Sequence, residues 1–92
     1  MWDDAAIRSA LAGEDTGRAV AAAEAVAAAA GHPGDALTND ARAWVESHGV
    51  PSDELVELAL RRVKDLCAQE TEATSLEELR DLRFRLGDAA AP

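Results

Sequence analysis

Apolar positions recur at helical spacing in five runs, separated by Gly, Pro and short polar breaks. In the first run, residues 3–12, Ile7 and Leu11 share a face with Trp2, Ala6 and Ala10 beside them. The second, 16–30, is almost continuously apolar: from Arg18 to Ala30 only Glu24 interrupts a tract of Ala and Val. Leu37, Ala41, Trp44, Val45 and His48 fall at i, i+4, i+7, i+8 and i+11 of the third, 36–48. The fourth, 53–69, carries the strongest stripe: Leu55, Val56, Ala59, Leu60, Val63, Leu66 and Cys67 lie on one side, Glu57, Arg61, Lys64 and Asp65 outside it. The fifth, 76–86, places Leu76, Leu79, Leu82 and Leu86 together. No segment alternates with period two, so no strand is expected.

The boundaries have their own chemistry. Asp3 or Asp4, Asp15 or Thr16, Asp35 and Ser52 stand where a side-chain oxygen can accept an otherwise unpaired N–H at a helix start. Ser75 and Glu78 have capping-box spacing. Gly13, Gly31 followed by Pro33-Gly34, Gly49 and Gly87 stand where helices end. The expected fold is all-α: one domain over residues 1–92, a small bundle of four to five short helices, with the tail 88–92 frayed. Short connections suggest two helical hairpins, the first two and the middle two helices, plus a C-terminal helix. The alanine-rich segment is the natural central strut, since alanine loses no side-chain entropy in a helix and leaves room for neighbours.

Gly13 and Gly49 also bring out an internal regularity. With one laid on the other, Ala19, Val20, Ala23, Ala27 and Ala30 align with Leu55, Val56, Ala59, Val63 and Leu66. This resembles a short tetratricopeptide-like solenoid, which implies two stacked helix–turn–helix units and a closing helix. The aromatic positions of that family are mostly absent.

Charge narrows the function classes. Acids outnumber bases two to one, with a formal charge of −9, which opposes binding to phosphate-rich partners. Within residues 41–64, however, Val45 is followed four residues later by Gly49, then by Val50 and by apolar Leu55 on the next helix. This segment loosely resembles a helix-turn-helix, implying a DNA-associated transcriptional regulator as the alternative function. Against it, the leading end of the recognition helix would carry Asp53, Glu54 and Glu57 toward phosphates, with Arg61, Arg62 and Lys64 two turns further on.

Candidate chemistry is sparse. His32 and His48 have no metal-ligand spacing, and Cys67 reads as a small core residue. The acid pairs fall at helix starts, where the dipole favours them. Glu24 reads as a solvated residue on the outer face of the strut, the alternative being a pair with Arg18 or with a basic residue of another chain. No catalytic residue, cofactor or metal is expected, and the chain is read as a non-enzyme. A single cysteine cannot pair within the chain. The opening Met-Trp-Asp-Asp lacks the pattern of a signal peptide, and the Ala tract is shorter than the roughly 20 apolar residues of a membrane span. A cytoplasmic protein without membrane contact is expected.

Two apolar residues miss their stripes. Phe84 lies opposite the leucine face of its helix, and Leu58 sits on the flank of the fourth helix near Arg62. Leu58, Arg62 and Phe84 are therefore the candidate partner-binding residues. The function they imply is a non-enzymatic protein–protein interaction module, an adaptor or small regulatory subunit with an acidic helical surface. Its partner would be another protein or a second copy of the chain.

Overall fold

A computed structural model describes residues 3–32 and 39–90. They form α1 (Asp4–Ala12), α2 (Thr16–Ala29), α3 (Asn39–His48), α4 (Asp53–Gln69) and α5 (Ala73–Ala90), with no strand among the described residues. Trp2, the Pro33-Gly34 stop, Asp35 and Leu37 lie outside them.

Three helix starts follow from short acceptor side chains. The Asp3 carboxylate accepts the Ala6 N–H at 2.7 Å, Asp15 that of Arg18 at 3.1 Å, and the Ser52 hydroxyl that of Leu55 at 3.2 Å. Each satisfies one of the N–H groups that a helix leaves without an internal partner. α2 is closed off by Gly31, two residues past its end, whose φ of +95° lies where only glycine is unstrained. There the His32 N–H reaches the Ala27 carbonyl and the Gly31 N–H that of Ala28, a Schellman closure.

α2 is the axis of the fold and packs against each of the other four helices. Ala19, Ala22, Ala23, Ala25, Val26 and Ala27 are fully buried. Burial at consecutive positions covers every side of the helix, as expected for a segment apolar all round rather than along one stripe. Methyl side chains let the neighbouring axes come close. Around α2, the remaining core consists of Ile7, Ala10 and Leu11 from α1, Ala41 and Trp44 from α3, Leu55, Val56, Ala59, Val63 and Leu66 from α4, and Leu79, Leu82 and Leu86 from α5. Val45 is half-buried against this cluster.

Two hairpins are present, but the second is not the expected middle pair: α1 packs on α2, and α4 packs on α5 instead of on α3. Short links, 13–15 and 70–72, join the members of each pair. α3 leans on α2, and among the described residues it makes no contact with α4. The paired units of a two-repeat solenoid are thus not both formed, and the molecule is a helical bundle.

α5 departs most from its expected limits. It begins at Ala73, so Ser75 lies inside its first turn rather than capping it. The Glu70 carboxylate accepts the N–H groups of both Thr71 and Glu72 at 3.0 Å, ordering the approach two residues ahead of the helix. At the other end the helix runs through Gly87 to Ala90. Glycine in a helix interior costs about 1 kcal/mol relative to alanine, a cost outweighed by the fully buried Leu82 and Leu86 on the inner face.

Candidate interaction face

α5 has two sides with different tasks. Its inner side, Leu79, Leu82 and Leu86, is buried in the core. At the edge of that side Arg85 reaches across to α2. Its guanidinium donates to both carboxylate oxygens of Glu24, at 2.9 and 3.0 Å, and to the His32 carbonyl at 3.2 Å. Nε donates to Asp81 at 2.9 Å. The Arg85 and Glu24 side chains are only 14% and 10% exposed. Glu24 is therefore not a solvated residue on the outside of the strut; it is the buried anchor of α5. The hydrogen bond with Glu24, ahead of the opposing effect of burial, raises the Arg85 pKa above its ordinary value. The two-pronged geometry fixes the rotation of α5 about its axis.

That rotation turns Phe84 outward, where it is 70% exposed. Arg80, Arg83, Gly87 and Asp88 surround it in a shallow depression. Val50, in the link between α3 and α4, is a second large apolar residue left in solvent, which the periodicity of the helices gave no reason to single out.

Leu58 and Arg62 do not join this depression. Leu58 is half-buried and packs against the core. Arg62 is half-buried, and its Nη2 donates to the Gly13 carbonyl at 2.9 Å, tying α4 to the end of α1. This supplies a donor to a carbonyl just past the last turn of α1, a capping role. Of the three candidate residues, only Phe84 presents its side chain freely to solvent.

A second concavity, of about 450 Å³, opens between the start of α2 and α5. Val20 and Leu79 give it an apolar lining, and Glu24, Glu70, Glu78 and Asp81 make it acidic. Among the described residues Arg85 is the one cation lining it, and it is already engaged by Glu24 and Asp81. Among the described residues no group of three His, Cys, Asp or Glu side chains is placed to hold a metal ion. Cys67 is a free, half-buried thiol. No helix among the described residues is long and apolar enough to cross a membrane.

The model of a family described as a domain of unknown function (DUF4259) matches residues 3–82, and the chain belongs to that family. Comparison with curated proteins and with solved structures found no match. The matched span takes in α1 to α4 and the first part of α5, and ends short of Phe84 and Arg85. Phe84, Gly87 and Asp88 thus lie outside the matched span.

Proposed function

We propose that this protein is a non-enzymatic protein–protein interaction module, an adaptor or small regulatory subunit, that docks a partner on the outer face of α5. The exposure of Phe84 carries the reading. An aromatic ring in water contributes little to the monomer, whereas burying it against a partner contributes about 1.5–3 kcal/mol. Aromatic residues and arginine are also the types that interfaces favour, and Arg80 and Arg83 flank the ring. The buried Glu24–Arg85 contact gives the face a fixed orientation, which reduces the ordering a partner must impose. A cytoplasmic setting belongs to the proposal and rests on the single cysteine. DNA is disfavoured as the partner, because Asp53, Glu54 and Glu57 stand exposed at the head of α4.

The test is Phe84→Ser. The expected outcome is an unchanged melting temperature with loss of association, read by light-scattering mass and by recovery of the bound partner. A large fall in melting temperature with association intact would make Phe84 an ordinary packing residue and end the proposal.

A further inference from the structure

One row on the outer face of α5 is self-complementary in charge. Arg80, Phe84 and Asp88 stand four residues apart and form one row along the helix, each about 6 Å from the next. All three are exposed. Arg80 and Asp88 have no ion-pair partner among the described residues. Opposite charges thus sit at equal distances on either side of an apolar centre. Beside the row, Gly87 forms a notch in the depression that also holds Arg83. A Cβ at Gly87 would meet nothing within 4 Å, so no packing inside the chain calls for a glycine there, although glycine is a poor helix former.

We propose that this face binds a second copy of the chain about a two-fold axis beside Phe84, with the two α5 helices antiparallel. A two-fold contact uses the same patch on both subunits, so the patch must complement itself. Here it does: Arg80 of one copy faces Asp88 of the other, and the reciprocal pair forms on the far side of the axis. Between them the two Phe84 rings meet, each over the Gly87 notch of the facing helix, as the ridge of one helix fills the groove of the other. Charge complementarity selects this occupant over a stranger of one sign. Along the row Arg80–Phe84–Asp88 an acidic segment would gain at Arg80 and lose at Asp88, and a basic one the reverse.

The proposal rests on the reading of α5 as a docking face. It describes a weak, concentration-dependent dimer, because one helix face is small against the roughly 800 Å² per partner of a stable interface. Each copy also carries −9. In salt of about 0.15 M that mutual repulsion is screened beyond about 8 Å, leaving the close pairs to set the register.

Sedimentation equilibrium on the full chain, from micromolar to millimolar concentration, tests it with Arg80→Glu, Asp88→Arg, the double reversal and Phe84→Ser. Circular dichroism confirms that each variant is folded. Wild type is expected to pass from monomer to dimer. Each single reversal sets like charges against each other twice and should weaken the dimer by about tenfold or more. The double reversal should restore it, and Phe84→Ser should abolish it. A wild type that stays monomeric throughout overturns the second copy as occupant, leaving the docking face to be judged by partner recovery. A dimer indifferent to both single reversals but lost in Phe84→Ser overturns the two-fold register and leaves the face standing. A dimer indifferent to all four variants overturns both.

Discussion

Replacing Arg85 with alanine tests the anchor that sets the orientation of α5. The substitution leaves the Glu24 carboxylate, with a side chain only 10% exposed, without its cation. It also leaves the His32 carbonyl without that donor. Removing one member of a buried ion pair costs roughly 3–5 kcal/mol, because the remaining charge is stranded in a poor solvent. Glu24 also lines the open cleft beside α5, through which water can reach it. The expectation therefore sits at the low end, about 3 kcal/mol for Arg85→Ala and a similar loss for Glu24→Ala. Asp81 is the internal control: it meets the same arginine, but its side chain is 67% exposed. Asp81→Ala should cost no more than about 0.5 kcal/mol. Converting both Glu24 and Arg85 to leucine removes the stranded charge and should return stability to within about 1 kcal/mol of wild type. Urea denaturation followed by far-ultraviolet circular dichroism supplies the free energies, provided the denaturant slope is unchanged across the set. If Arg85→Ala and Glu24→Ala each fall within about 1 kcal/mol of wild type, the pair contributes little and the anchoring argument fails.

Other substitutions probe the core and the helix it holds. Leu66→Ala removes most of a buried side chain from α4 and should cost about 2–5 kcal/mol in the same assay. Ala23→Leu forces a larger group into the fully buried strut and should lower stability by about 1–3 kcal/mol, or more if α2 cannot shift. Gly87→Ala should raise stability by up to about 1 kcal/mol, because the added methyl meets open space and glycine is the poorer helix former; a loss of stability would show that the glycine is needed inside the chain.

The parts of this fold visible in the sequence are those decided within one helical turn. Asp3, Asp15 and Ser52 each cap through a bond to an N–H three residues on, and Gly31 closes α2 through equally local contacts. The stripe of α4 ends inside almost unaltered because its apolar side chains already share a face. The outward position of Phe84 was legible for the same reason: periodicity sets it against Leu79, Leu82 and Leu86.

What lay hidden depends on distant residues. Glu24 meets an arginine 61 residues away, and Arg62 a carbonyl 49 residues away. Helical spacing within one segment contains neither partner. The available signal for Glu24 was its isolation: a single charge inside a helix apolar on all sides has no outer face to occupy. The pairing of α4 with α5, rather than with α3, was likewise a choice between two short connections. Leucine stripes on α4 and α5 supply apolar surfaces that pack together, whereas α3 finds its place against α2.

Phe84 is the only phenylalanine in the chain, so fluorinated phenylalanine gives a single fluorine resonance from the centre of the proposed face. Recorded in dilute solution and then at rising concentration or with added partner, that resonance tests most directly whether α5 offers an aromatic ring for docking. The account predicts a signal that responds to exchange of water for deuterium oxide when the protein is dilute, and that shifts and loses this response as the ring is covered. A resonance insensitive to solvent from the outset would place the ring inside the monomer and contradict the account.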